Sequence, residues 1–360
     1  MSFVVGDKLS NRNVRLAALL VNCNRKSRAS INPILPPHAA DPWMIFHEGF
    51  YYYCESKSQQ RICIRKSRTI ASIGEDPGAC VWAAPSFGPN SNAVWAPELH
   101  RIAGKWYIYF AADNGKNKHH RMWVLEGEGT DPLGPYHCRG QLETEGWAID
   151  GTVLSAKDGL YLIWSGWPGR RNGQQNLYIA PMSDPLTVSG TRVLIATPDQ
   201  AWERAGMPIC EGPQVLSRNG KLFIVYSASG SWTTDYCLGL LTHKGGDLVD
   251  PDSWTKQGPV FHKTDEIWGV GHCSFVTSPC RTEDWIIYHA KSSTSAGWHD
   301  RDVHAKRFSW TADGLPDFGR PVSRRAQVIE PLASTAKADL SLVTALSNPA
   351  VSTNPVFANA

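Results

Sequence analysis

Three carboxylates open copies of one short repeated pattern, and their chemistry is the most informative feature of the chain. They are Asp41 before Pro42, Asp150 before Gly151 and Glu211 before Gly212. If three acids surround one pocket, keeping all of them ionised is costly, so the pKa of at least one is raised. A protonated carboxyl can then act as a general acid while an ionised one acts as a general base. Glycosidic bonds are hydrolysed by such a pair.

The carboxylates belong to a fivefold internal repeat. Its openings are separated by 55, 54, 61 and 61 residues and begin at Asp41, Ala96, Asp150, Glu211 and His272. A run of aromatic and β-branched residues follows each opening, and in four copies a glycine lies between the two parts: Gly49, Gly104, Gly159 and Gly220. A repeat of this length is one supersecondary unit that must pack on its neighbours to bury its apolar surface.

The length of the repeat predicts the fold class. Each unit has room for about four strands with their turns, and four-stranded units arranged radially form a β-propeller. We therefore predict an all-β, five-bladed propeller with four-stranded antiparallel blades over residues 31–333. Residues 1–30 are interpreted as an N-terminal arm and 334–360 as a polar, loosely ordered tail. Because the first strand of each blade lines the central channel, the openings should ring one mouth of it and form a catalytic pocket there.

Composition argues against several classes of partner. The net charge of +3, with 19% charged residues, is too mild for a nucleic-acid-binding protein. No stretch approaches the ~20 apolar residues that span a bilayer, so we expect no membrane partner, and no obligate protein partner is evident. The apolar run 16–21 is short for a signal peptide, which leaves a cytoplasmic location and export through an atypical N-terminus both open.

The nine cysteines contain no Cys-x-x-Cys pair, which argues against a zinc or thioredoxin-type site. Most are expected to be reduced core residues. If the protein is exported, pairing of Cys54 with Cys63, or of Cys273 with Cys280, is open.

At the repeat openings the sequence resembles glycoside hydrolase family 43, which comprises five-bladed propeller enzymes that cut arabinose- and xylose-containing polymers. The resemblance covers about residues 31–333. Its motifs are Ala40-Asp41-Pro42-Trp43, Val94-Trp95-Ala96-Pro97-Glu98, Ile149-Asp150-Gly151, Cys210-Glu211-Gly212-Pro213, Gly271-His272-Cys273-Ser274-Phe275 and Trp285-Ile286-Ile287-Tyr288-His289-Ala290.

The resemblance implies a role for each acid. Asp41 is expected to be the general base that activates water, and Glu211 the general acid that protonates the leaving oxygen. Asp150 is expected to raise the pKa of the acid and to orient it. The implied reaction is a single displacement with inversion, for which the two carboxyls lie ~6.5–9.5 Å apart.

Further residues are implied to contact substrate: Trp95, Ala96, Trp164, His272 and Arg301. Ala96 would leave space for the sugar, the two tryptophans would form an apolar wall, and Arg301 would contact substrate or an acid. No cofactor is expected to be required. His272 is expected near a calcium or sodium ion, through water, and the alternative is a hydrogen-bonded buried histidine. For the two tryptophans the alternative is a role in the core, and for Arg301 it is a place on the solvated surface.

The predicted substrate is an arabinose-containing polysaccharide or oligosaccharide. The motifs look most like exo-acting α-L-arabinofuranosidases, which act in hemicellulose degradation. A β-xylosidase or endo-arabinanase of the same family remains an alternative, as does a non-catalytic sugar-binding propeller or a related five-bladed hydrolase for marine polysaccharides.

Overall fold

The computed structural model describes residues 30–35 and 37–329, and strands make up nearly all of their regular structure. This part of the chain has no α-helix; its 3₁₀ helices are Ile73–Glu75, Asn117–His119, Ala201–Glu203 and Pro251–Ser253. None of them is long and apolar enough to cross a membrane. The predicted arm, apart from Ser30, and the predicted tail lie outside the described residues.

Five antiparallel sheets follow one another along the chain, which confirms the predicted five-bladed propeller. The first three blades are β2 (Trp43–His47), β3 (Phe50–Lys57), β4 (Arg61–Ser67) and β5 (Ala79–Ala83); β6 (Asn92–Ile102), β7 (Lys105–Asp113), β8 (Arg121–Gly127) and β9 (Tyr136–Gln141); and β10 (Ala148–Ser155), β11 (Leu160–Gly166), β12 (Asn176–Asp184), β13 (Thr187–Val188) and β14 (Val193–Ala196). The last two are β15 (Cys210–Arg218), β16 (Lys221–Ala228), β17 (Cys237–His243) and β18 (Trp254–Phe261); and β19 (Trp268–Thr277), β20 (Asp284–Lys291), β21 (Arg301–Trp310) and β22 (Pro316–Asp317). Blade 3 departs from four strands because β13 and β14 both pair with β12.

Tight hairpins connect the first two strands of several blades. Glu48–Gly49, Ala103–Gly104 and Asn219–Gly220 each have two consecutive positive φ angles, from 47° to 85°. This is the conformation of a type I′ turn, whose twist matches that of the flanking strands. Glycine in the second position avoids the steric cost that a side chain would carry there.

The hydrophobic core consists of five clusters, one between each pair of neighbouring blades. Strand β3 shows how one blade supplies two of them. Tyr51 and Tyr53 pack toward blade 5, while Tyr52 and Cys54 pack toward blade 2. Alternate residues of a strand face opposite sides of the sheet, so both faces of a blade are buried. This explains why the strands read as continuous apolar runs.

The ring is closed by the segment that precedes blade 1. Strand β1 (Ser30–Ile31) pairs with β23 (Gln327–Val328). The Asn32 side chain donates to the Ala305 carbonyl over 3.0 Å and accepts from the Ala305 amide over 2.8 Å. These bonds tie the first described residues to the third strand of blade 5, so the two ends of the propeller hold each other.

The cysteine pairings considered from the sequence are wrong. Cys63 of β4 forms a disulfide with Cys80 of β5. Cys54 and Cys273 are both free and buried. Neighbouring strands bring the true partners together, although they lie 17 residues apart in the sequence.

The predicted contact of Trp164 with substrate is also wrong, because its side chain has no exposed surface. Trp164 lies on β11 in the cluster between blades 2 and 3, with its ring centroid 6.0 Å from that of Tyr178. Its place in the strand pattern puts it on the face of the blade that packs against a neighbour. It belongs to the core and does not reach the channel mouth.

We therefore expect Trp164→Ala to lower the free energy of unfolding by about 3–5 kcal/mol, since it leaves a large cavity in a packed core. Denaturant unfolding followed by circular dichroism measures this change. Leu194→Ala, at a side chain that is 40% exposed, is the control and should cost under about 1 kcal/mol. If Trp164→Ala lowers the free energy of unfolding no more than the control does, the core position of Trp164 is contradicted.

Candidate active site

One residue at an equivalent point of each blade has a left-handed backbone; it lies within the first strand of blades 2 to 5 and two residues before β2 in blade 1. The residues there have φ between 41° and 56°, in the left-handed region: Asp41, Ala96, Asp150, Gly212 and His272. In blades 2 to 5 the strand pairing shifts register at this point, as at a β-bulge. A bulge changes the direction of a side chain relative to the one it would have in a regular strand. Such strained backbone is typical of functional sites.

The structure corrects the register inferred for Glu211. Gly212, not Glu211, occupies the position of Asp150 and His272 in blade 4. A Cβ atom on Gly212 would lie 3.2 Å from the His272 ring, at a φ of 54°. Both the close contact with His272 and the positive φ therefore disfavour a side chain at this position. The carboxylate of blade 4 comes from the preceding residue, whose backbone still pairs regularly with Ser227.

Asp41 is surrounded by cationic and imidazole groups. Its Oδ1 accepts from Arg301 Nη1 over 3.0 Å and lies 3.3 Å from Nδ1 of both His272 and His289. Burial alone would raise the pKa of Asp41, but Arg301, His272 and His289 together hold it well below its usual range. Asp41 is thus ionised throughout the neutral pH range. Its side chain is 26% exposed, so water can reach it.

Glu211 has the opposite environment. Its side chain is buried, and its Oε1 accepts a hydrogen bond of 2.8 Å from the Tyr236 hydroxyl. Burial and the negative charge of Asp41 raise its pKa to about 7, although Tyr236 and Arg301 oppose the rise. A carboxyl with such a pKa is substantially protonated near neutral pH and can donate a proton.

Asp150 connects the other two acids. Its Oδ2 accepts from the Gly212 amide over 3.1 Å and lies 3.9 Å from His272 Nδ1. Burial raises its pKa, the charges of Glu211 and Asp41 raise it further, and His272 opposes them. Asp150 therefore holds the backbone directly after Glu211 and shares a histidine with Asp41.

The structure brings Asp41, Asp150, Glu211, His272 and Arg301 together at one mouth of the channel. Two further residues of the site, Tyr236 and His289, are given no role by the sequence. The His289 ring stacks on that of Tyr236 with centroids 5.4 Å apart. No spacing in the sequence relates Tyr236 to Glu211. Only the hairpin between β16 and β17 brings them together.

A buried polar bridge joins blades 2 and 4. Glu98 is 3% exposed, and its Oε1 accepts from Gln214 Nε2 over 2.5 Å. Its Oε2 lies 2.8 Å from His100 Nε2. Glu98 and Gln214 lie two residues beyond Ala96 and Gly212 on their strands. The bridge therefore connects the first strands of two blades that are not neighbours, close to the residues of the site.

Trp95 lies at the edge of the site, next to the buried Ala96. One face of its indole ring is covered by His120, with ring centroids 4.0 Å apart, and its Nε1 donates to Gln59 over 3.3 Å. A cavity of about 410 Å³ opens beside it on the blade 1 and blade 2 side, lined by Ser58, Gln59, Gln60, Asn92, Ala93, Asp113 and Gly115. Trp95 is half-buried and packs against the core cluster between blades 2 and 3, and its predicted contact with sugar stays a prediction.

The donor set around His272 does not fit a cation held directly by side chains. Its Nδ1 is shared with the carboxylates of Asp41 and Asp150. Calcium and sodium prefer several oxygen ligands. Across residues 30–35 and 37–329, no three His, Cys, Asp or Glu side chains are grouped as metal ligands. We derive no step through a metal, and the water-mediated contact stays a prediction.

The chain is similar to known proteins in both sequence and fold. The sequence profile of Glycosyl hydrolases family 43 matches residues 30–316. The chain is 36% identical to Alpha-L-arabinofuranosidase 43 of Humicola insolens, over 85% of this chain and 67% of that protein. It is 34% identical to an extracellular exo-alpha-(1->5)-L-arabinofuranosidase of Streptomyces avermitilis, over 81% of this chain and 63% of that protein.

Solved structures give the same result. The crystal structure of an alpha-L-arabinofuranosidase from Lactobacillus brevis superposes with a TM-score of 0.78 and 34% identity, covering 82% of this chain and 98% of that chain. The match in fold thus extends over nearly the whole of that relative, whereas the chain spans about two thirds of the two curated relatives above. The extent of the profile match and these identities show that the chain belongs to glycosyl hydrolase family 43.

Proposed function

We propose that this protein is an inverting, exo-acting α-L-arabinofuranosidase that releases terminal α-L-arabinofuranose from arabinan- or arabinoxylan-type chains. The observation that carries the proposal is the divergence of two pKa values at one channel mouth. The pKa of Asp41 is held well below its usual range, while that of Glu211 is raised to about 7. The arabinofuranosidase names of the relatives support the choice of sugar.

In the proposed reaction, Asp41 accepts a proton from water as the water oxygen attacks the anomeric carbon of the bound furanose. Glu211 gives its proton to the glycosidic oxygen as the bond between that oxygen and the anomeric carbon breaks. The sugar leaves with inverted configuration, Asp41 is then protonated and Glu211 ionised. Exchange with solvent returns both to their starting states. A single displacement of this kind needs no covalent intermediate.

The supporting residues act on these two carboxyls. Arg301 and His272 keep Asp41 ionised, so it is ready to accept a proton at any working pH. Asp150 holds the Gly212 amide and so fixes the backbone that carries Glu211. The exo mode of action is supported by the name of the relative from Streptomyces avermitilis, an exo-alpha-(1->5)-L-arabinofuranosidase.

Product analysis tests the proposed function. We expect the purified protein to release arabinose from α-1,5-linked arabino-oligosaccharides one residue at a time, with the β-anomer appearing first in proton NMR spectra. Xylo-oligosaccharides serve as the comparison for the β-xylosidase alternative. Release of xylose in preference to arabinose, or an α-anomer as the first product, would refute the proposal. If arabinan is bound without any release of sugar, the non-catalytic alternative holds.

The roles of the two acids are separable by leaving group. Glu211→Ala should lower kcat/KM for arabinobiose about a thousandfold. It should lower hydrolysis of a dinitrophenyl arabinofuranoside much less, because that leaving group departs without protonation. Asp41→Asn should impair both substrates severely, since each needs an activated water. Asp265→Asn, at an exposed carboxylate between blades 4 and 5, is the control and should leave both rates unchanged. Equal losses on the two substrates for Glu211→Ala would contradict its role as the acid.

The Tyr236 hydroxyl should set the alkaline limit of activity. It stabilises the ionised form of Glu211 and so lowers the pKa of that carboxyl. The acid must be protonated, so the rate falls as the pH rises through its pKa. Tyr236→Phe removes the hydrogen bond, raises the pKa of Glu211 and should shift the alkaline limb of kcat/KM upward by about one pH unit.

The matched control is Tyr288→Phe, which also removes a buried hydroxyl, one that accepts from the Val322 amide away from the acids. Its alkaline limb should coincide with that of the wild type. A downward shift, or none, in Tyr236→Phe would disprove the role of this hydrogen bond.

A further inference from the structure

One large apolar side chain near the site is exposed to solvent. Trp298 is 51% exposed and lies in the loop between β20 and β21, three residues before Arg301. Among the described residues the other exposed large apolar side chains are Ile31, Phe87, Leu194 and Ile329, none of which shares a loop with a site residue. A single exposed apolar side chain is ordinary on a protein surface, but this indole shares a loop with Arg301 of the site and so is a candidate contact for a ligand.

The exposed ring is held in a fixed position. Its Nε1 donates to Ser231 Oγ over 3.1 Å, and its centroid lies 5.4 Å from that of Trp232 at an interplanar angle of 61°. The Gly297 amide donates to the Trp232 carbonyl over 2.9 Å, which ties the two loops together. The buried Lys291 donates to the Gly297 carbonyl over 2.6 Å. A ring fixed in this way loses little conformational freedom when it binds a ligand.

The two loops connect this pair of tryptophans to both catalytic carboxyls. The Trp298 carbonyl accepts from Arg301 Nε over 3.2 Å, and the other end of that guanidinium contacts Asp41. Trp232 lies four residues before Tyr236, which donates to Glu211. The pair therefore stands on the rim between blades 4 and 5. Glu211, the group that protonates the leaving oxygen, belongs to the same side.

We propose that Trp298, supported by Trp232, forms a subsite for the pentose residue on the leaving-group side of the scissile bond. The inference rests on the proposed function. The subsite would hold the part of the substrate that carries the leaving oxygen. The flat indole face stacks on the C–H face of a sugar ring. The Ser231 hydroxyl, which accepts from the indole, places an uncharged polar group at the edge of the ring and suits a hydroxyl-rich ligand. The subsite would make the enzyme prefer an arabinose-linked chain to a small aglycone.

The test compares two substrates that differ only beyond the scissile bond. Arabinobiose has a sugar in the proposed subsite, whereas methyl α-L-arabinofuranoside has only a methyl group. Trp298→Ala should lower the ratio of kcat/KM for arabinobiose to that for the methyl glycoside about tenfold, which corresponds to one lost stacking contact. Trp298→Phe should keep most of the ratio. Leu194→Ala, another exposed apolar side chain, should leave it unchanged. An unchanged ratio in Trp298→Ala would overturn the subsite.

A binding measurement separates this inference from the proposed function. In a Glu211→Gln background, calorimetry with arabinotriose reports binding without turnover. Trp298→Ala should weaken that binding about tenfold. If the wild-type protein cleaves neither arabinoside but Trp298→Ala still weakens arabinotriose binding, the subsite stands and the hydrolase proposal fails. If cleavage occurs and Trp298→Ala changes neither the binding nor the ratio, the hydrolase stands and the subsite fails.

Discussion

The site depends on an unequal distribution of stabilising partners over three crowded acids. The Arg301 guanidinium and the imidazoles of His272 and His289 all approach one oxygen of Asp41. Glu211 accepts a hydrogen bond from the neutral hydroxyl of Tyr236. Both carboxyls lose solvation on burial. The partners of Asp41 outweigh that loss, whereas Tyr236 and Arg301 do not outweigh it at Glu211, so the two pKa values move in opposite directions. An acid and a base then coexist a short way apart at one pH, as a single displacement requires.

The propeller makes this distribution possible because it holds distant residues rigidly. Five clusters between neighbouring blades fix the angle of each blade, and the Asn32 bonds close the ring between blades 5 and 1. The bridge of Glu98, Gln214 and His100 connects blades 2 and 4. Strain at the left-handed residues is tolerated since the surrounding sheets determine the backbone there. The function therefore resides in the bulges and the loops, and the blades provide the frame.

Features that depend on local interactions were predicted correctly from the sequence, whereas those that depend on contacts between blades were not. The repeat spacing predicted five blades correctly because each blade is one local unit with its own hairpins. It misplaced Glu211 by one residue because the crowding that requires Gly212 comes from His272 in another blade. Trp164, expected to form an apolar wall for the sugar, lies in the core instead. Which face of the blade it occupies depends on the packing of blade 2 against blade 3.

By itself, the sequence determined the repeat, the all-β class, the three acids and the family resemblance, since residue types and spacing along the chain carry these directly. Only the tertiary structure decided which carboxyl is ionised, because the pKa of each depends on partners 25 to 260 residues away. It likewise decided that Tyr236 contacts the acid and that Trp298 stays exposed on the rim. Solvation and charge act through space, and the order of residues along the chain does not fix their separation in space.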